Sequence, residues 1–231
     1  LQALGRGIGG REYPYFTRDW YGRHAGAWFP GIWAGGFGLW DVPMWDNLAP
    51  YVGIVGPPIP YDYGSTAVIQ DDTVYLNGEP VGPAADYAAQ ALALDDAARA
   101  AAVGDSDQWE PLGVFGLMQA NDTTTPARIF QLAVNKAGVV HGNYYDAVLD
   151  SNLPVYGQVD RKSQRVVWSI GDRKDIVYEA GLHNLLQNET TVLVHFGKDR
   201  TQQMILVRLP PPQLPPPQQP PQSPQQPPPQ K

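Results

Sequence analysis

Four histidines, scattered carboxylates and no cysteine bound the chemistry open to this chain of 231 residues. His24 lies in an aromatic-rich opening stretch, whereas His141, His183 and His195 fall in runs of β-branched and aromatic residues that read as strands. His183 and His195 are predicted on the sixth and seventh of those runs, where a hairpin would bring them within reach of each other. A carboxylate beside them would complete a metal site; the alternative is a pair of strand histidines partly facing water. The segment "GDSDQWE" places Asp105, Asp107 and Glu110 near a predicted helix end, an oxygen set suited to calcium. It lacks the glycine and the later bidentate acid of an EF-hand loop, so a solvated acidic linker is the competing reading. Asp71 and Asp72 are adjacent, and neighbouring side chains on an extended chain point to opposite faces, which favours a turn over joint chelation. Glycoside hydrolysis would require two facing acids, with Asp146 and Glu179 as strand-borne candidates. The run "GRGIGG" at 5–10 follows no strand and opens no helix, so it is no phosphate cradle. The absence of cysteine removes disulfides and thiolate nucleophiles. The expectation is a chain that is not an enzyme, with no catalytic, cofactor-binding or metal residue assigned and no cofactor.

The elements that would position these groups follow from the local pattern. Residues 1–60 interleave Gly and Pro with aromatics, which breaks both helical and strand periodicity and predicts an irregular arm. Trp20, Trp28, Trp33, Trp40 and Trp45 carry too much apolar area to stay in water, so the arm must dock, either on its own chain or on a partner through those indoles. Residues 61–108 predict a β-hairpin and a helix. "TAVIQ" and "TVYL" are joined by Asp71-Asp72, and Asn77-Gly78 is a strong signal for a type I′ turn. The helix is predicted to open at Pro83, with Asp86 in its first turn, and to stop at Gly104. Tyr87, Ala91, Leu94, Ala98 and Ala101 form its apolar stripe.

From 109 to 209 eight short β runs alternate with hairpin-sized linkers such as "KAG", "RKSQ" and "DRK". Such linkers contain no helix, so neighbours pair antiparallel in order. The fold class is mainly β: an eight-stranded antiparallel meander forming a barrel or a curled sheet. Alternation in "RIFQLAV" sets Phe130, Leu132 and Val134 against Ile129, Gln131 and Ala133. The second face is not cleanly polar, which predicts that the helix and the arm cover part of the barrel's outside. Residues 210–231 hold half of the chain's 24 prolines together with glutamines and predict a disordered, extended spacer.

The formal net charge of −7 is concentrated between positions 62 and 110, where ten acids face the single Arg99. No basic stripe marks a nucleic-acid binder, and no run approaches the roughly 18 apolar residues of a membrane span. The opening "LQALGRGIGG" lacks the basic and apolar regions of a signal segment.

Several strings together, "YDYGSTAVIQDDTVYLNGEPVGPAADYAAQA", "PLGVFGLMQ", "IFQLAVNKAGVVHGNYYD", "LPVYGQVDRKSQRVVWSIGD" and "ETTVLVHFGKDRTQQMILVRL", resemble a family of uncharacterised planctomycete proteins, some labelled protocadherin-like surface proteins. The resemblance covers roughly 15–209. It implies export and a cell-surface or envelope role, and it carries no catalytic residue. A more distant architectural likeness is to avidin-like barrels, in the Gly-then-Tyr and later Trp strands of "VVHGNYYD" and "VVWSIG". Three functions therefore stand in order: a structural or assembly protein of the envelope, contacting itself or other envelope proteins through the arm; a small-molecule or glycan-binding barrel, with Tyr144, Tyr156, Trp168 and Tyr178 at its mouth; and a hydrolase or metal enzyme.

Overall fold

A computed structural model describes residues 13–31, 38–101, 103–104, 107–120, 122 and 124–212. Eight strands form a closed antiparallel barrel: β4 (Trp109–Met118), β5 (Arg128–Asn135), β6 (Val139–Asp146), β7 (Ser151–Val159), β8 (Arg165–Ile170), β9 (Ile176–Gly181), β10 (Glu189–Phe196) and β11 (Arg200–Arg208). Each strand pairs with its sequence neighbour, and β11 closes the cylinder on β4 through Ile205 opposite Met118 and Arg208 opposite Phe115. Tight turns enforce this order, as at Gly138, where a φ of +82° lets the chain reverse between β5 and β6.

The barrel is packed rather than hollow. Phe130, Leu132, Val134, Val140, Val155, Val166, Trp168, Val192, Val194 and Leu206 point inward from six of the strands and belong to one apolar cluster. Trp168 and Tyr178 stack with centroids 5.9 Å apart, and Phe130 meets Tyr178 edge-on at 5.2 Å. Gly157 lies opposite Trp168, where a Cβ would come within 2.3 Å of the Val167 carbonyl, so this position takes no side chain. Eight-stranded barrels are narrow enough for side chains to fill them.

One end of the barrel is sealed. The short helix α2 (Trp45–Tyr51) and the 3₁₀ turn Asn184–Leu186 contribute Leu48, Ala49, Leu185 and, just beyond α2, Val52 and Ile54 to the barrel cluster. Arg208 pins this end. Its guanidinium donates to the Leu112 carbonyl at 3.0 Å and to the Leu185 carbonyl, and it lies 4.7 Å over the Phe115 ring. Burial lowers its pKa to about 10, which leaves it protonated at neutral pH.

The outer wall carries two principal covers, which accounts for the apolar second face in the sequence. The arm supplies Tyr13, Phe16, Trp20, Leu39 and Trp40, packed on Val114, Met118, Ile129, Ile205 and Val207; its helix α1 (Arg18–Arg23) begins at Thr17, whose Oγ1 accepts from the Trp20 N–H. The second cover is a three-stranded sheet, β1 (Ala67–Gln70), β2 (Thr73–Leu76) and β3 (Glu79–Pro83), followed by helix α3 (Ala84–Ala100). Both of its turns have two residues at positive φ, Asp71 (+48°) with Asp72 (+59°) and Asn77 (+53°) with Gly78 (+84°), as type I′ geometry requires.

Three expectations shift. Pro83 is the last residue of β3, paired with Thr73 in extended conformation, so α3 starts one residue later. The helix ends at Ala100 rather than near Gly104, and Asp95 lies on its buried face, 1% exposed, because Ser169 and Arg99 satisfy its carboxylate. The run 175–185 divides into β9 and the 3₁₀ turn, which takes His183 off the sheet. Among the described residues no helix is long and apolar enough to cross a membrane.

Candidate functional site

Among the described residues a buried group of ionisable side chains sits on the outer barrel wall beneath the second cover. Val167 of β8 lies opposite Glu179 of β9, and Leu193 of β10 lies opposite it on the other side. Arg165 and His195 are each two positions from those residues, so they share the outward face with Glu179 as its diagonal neighbours. Arg165 grips the carboxylate in bidentate fashion, Nε to Oε1 at 2.8 Å and Nη2 to Oε2 at 2.7 Å. His195 Nε2 is 2.9 Å from Oε2. From the cover, the Tyr63 hydroxyl donates to Oε1, and the Tyr87 hydroxyl lies 3.3 Å from that of Tyr63. Arg165 also donates to the Tyr87 carbonyl at 3.1 Å and to Gln90 Oε1 at 3.2 Å, while its guanidinium lies 3.6 Å over the Tyr87 ring.

Glu179 and His195 are wholly buried and Arg165 is nearly so. Burial alone would raise the Glu179 pKa, but the Arg165 charge and the hydrogen bonds from His195 and Arg165 outweigh it and hold the carboxyl at about 2. Burial and then the Glu179 charge raise the pKa values of Tyr63 and Tyr87. A general base works best with a pKa near the operating pH and an open lone pair; this carboxylate has neither. The arrangement is a clasp, in which a neutralised ion pair and two tyrosines fasten the cover to the wall.

The clasp has a pH signature. The folded-state pKa lies below the ordinary value near 4.5, so its contribution is fully present above about pH 4.5 and is lost as pH falls toward about 2. Urea midpoints measured across that window should drop in the wild type, and the drop should be shallower in Glu179→Gln.

A second cluster repeats the pattern. Asp95 of α3 accepts from the Ser169 hydroxyl at 2.5 Å and from Arg99 Nε at 2.9 Å, and Arg99 Nη1 donates to the Gly171 carbonyl at 2.7 Å. Arg99, the lone cation of its acidic region, thus ties the helix to the barrel.

The remaining sequence candidates separate. His183 and His195 do not meet: His183 lies 5.6 Å from the Trp45 ring, and His195 is opposite Val177. His24 stacks on Trp20 at 4.1 Å and reaches Asp150 at 3.3 Å. Asp105 lies outside the described residues; Asp107 accepts from Asn135 at 3.2 Å, and Glu110 pairs in β4 opposite Val134. Asp146 accepts from the backbone N–H groups of Val148 and Leu149, a turn role. Among the described residues no three His, Asp or Glu side chains converge for a metal.

Tyr144, Trp168 and Tyr178 come together inside the barrel around Phe130, with Tyr144 and Tyr178 half-buried. Tyr156 points outward, 5.3 Å from His141. No family model, curated protein or solved structure matches this chain. Of the arm tryptophans, Trp20 and Trp40 are buried in the chain's own second core, Trp45 packs at the sealed end and Trp28 is half-buried beside Trp109. Trp33 lies outside the described residues.

Sequence reasoning missed the Glu179 clasp. The available signal was the outward parity shared by Arg165, Glu179 and His195 on three successive strands, two charged residues and a histidine on the same face as Val167, Val177 and Leu193.

Proposed function

We propose that this chain is a non-catalytic module, exported to a cell surface or envelope, with a structural or assembly role. The observation that carries the reading is the burial of Glu179 and His195 at 0% exposure, with Arg165 at 3%, beneath a cover that the cluster holds in place, so that this chemistry serves cohesion. Further support comes from the filled barrel, and export is motivated by the resemblance to envelope proteins. The proline-glutamine stretch after β11 suits a spacer.

Because Trp20 and Trp40 are internal, assembly falls to apolar side chains that do face water, such as Met44 (67% exposed), Val55 (98%) and Val148 (78%). Sedimentation velocity of the intact chain over a wide concentration range should show reversible oligomers, weakened in the triple variant Met44→Ser, Val55→Ser, Val148→Ser. A monomer at every concentration would oppose the assembly role.

A second reading, a glycan-binding module, is favoured by one observation: an open cleft on the barrel's side that is walled by two tryptophans.

A further inference from the structure

We propose that the cleft between Trp28, Trp109 and His141 binds an uncharged, β-linked glycan. The inference rests on the second reading above and gives it a site and a ligand class. The cleft has a volume of about 780 Å³, and its lining includes Phe29, Asp107 and Gln108 beside the three named residues. Ligand clefts commonly run to roughly 300–1,000 Å³.

Its walls are aromatic. Trp28 and Trp109 meet edge to face at 4.9 Å, and the His141 ring lies 4.6 Å from Trp28 and 6.1 Å from Trp109. Both indoles are half-buried. Pyranoses with equatorial substituents present flat C–H faces, whose slight positive polarisation suits the negative face of an aromatic ring.

The cleft is also built in advance. Trp28 belongs to an irregular part of the arm, yet its backbone is clamped from both sides by one side chain. Asn143 Oδ1 accepts from the Trp28 N–H at 3.0 Å, and Asn143 Nδ2 donates to the Trp28 carbonyl at 2.7 Å. Asn143 is wholly buried on the wall, and its Nδ2 also donates to Gln131 Oε1 at 2.8 Å. This clamp fixes the Trp28 backbone before any ligand arrives, which removes part of the ordering cost from binding.

His141 supplies a directional donor. The Gly142 N–H donates to its Nδ1 at 3.0 Å, which places the ring proton of the neutral form on Nε2, an atom without a hydrogen-bond partner among the described residues. Burial lowers its pKa to about 4, so the ring is neutral at neutral pH and offers one N–H to a sugar hydroxyl. Among the described residues no Lys or Arg lines the cleft and Asp107 does. Uronates and phosphorylated sugars would find no counter-charge there, whereas neutral hydroxyls find a donor, a carboxylate acceptor and an amide.

The test uses isothermal titration of the intact chain with cellotetraose, tetra-N-acetylchitotetraose and an acidic tetragalacturonate, with tryptophan emission followed in parallel. The expected result is saturable binding of at least one neutral tetrasaccharide and none of the galacturonate. Trp28→Ala and Trp109→Ala should each weaken binding at least tenfold, and Asn143→Ala should weaken it while both indoles remain. Trp109→Phe, which keeps a ring, serves if a truncation fails to fold and should weaken binding less than Trp109→Ala. Absence of heat and of any emission change with both neutral sugars at millimolar concentration would overturn the proposal. Full-strength binding in Trp28→Ala and Trp109→Ala that is lost in Tyr178→Ala would also overturn it, by moving the sugar to the barrel mouth, and would leave the binding-module reading standing.

Discussion

Arg165→Ala is expected to cost about 3–5 kcal/mol of folding stability, read as a lowered urea midpoint at neutral pH. The truncation leaves the Glu179 carboxylate at 0% exposure without its counter-ion and removes the cation over the Tyr87 ring. The cost belongs to the stranded charge more than to the lost pair, because burying two ions already consumes most of their attraction. The double variant Arg165→Met with Glu179→Gln should therefore recover most of the loss, since the neutral amide oxygen still accepts from Tyr63 and the methionine fills the guanidinium's space. A double variant as unstable as Arg165→Ala alone would show that the ion pair itself, not its desolvation, governs the cluster.

Trp168→Ala is expected to lose a similar amount, about 3–5 kcal/mol, for a different reason. Trp168 is wholly buried in the barrel among Phe130, Tyr144 and Tyr178, and the strands that ring it cannot collapse without breaking their ladders. The variant should unfold at a lower urea concentration with an unchanged slope. A loss below about 1 kcal/mol would mean that water or empty space already surrounds the indole.

How much of this could be read beforehand depended on whether the cause was local. The β runs were legible because turn chemistry and alternation act within a few residues: "KAG" reverses the chain at Gly138, and Phe130, Leu132 and Val134 share one face, opposite Ile129, Gln131 and Ala133, as their alternation implies. Barrel closure was legible as well, since eight runs with short linkers leave little choice but sequential pairing. Helix α3 was legible in its body and misread at both ends, where Pro83 serves the β3 ladder instead of the first helical turn. The buried Asp95 was invisible, because its partners Ser169 and Gly171-bound Arg99 come from the barrel and from four residues further along.

The candidate site was less legible still. His195 was singled out together with His183, yet β9 ends at Gly181, two residues before His183, and the carboxylate that His195 contacts is Glu179, earlier in the same run. Glu179 was noted as a single strand acid. What identifies it as the centre of a cluster is sheet register, which depends on contacts between residues up to 116 positions apart, as for Tyr63 and Glu179. The docking of the arm was foreseeable from its tryptophans, but the choice of the chain's own wall over a partner rests on where Val114, Ile129 and Val207 present a matching apolar face.

The polar cluster on the outer wall fastens the 61–100 cover to a barrel that stands without it. Amide hydrogen exchange on wild type and Glu179→Gln tests this most directly, because it reads opening segment by segment. Faster exchange is expected in β2 and α3, with protection in β4, β5 and β6 unchanged. Equal loss of protection across the whole barrel, or a cover that exchanges as slowly as in the wild type, would contradict it.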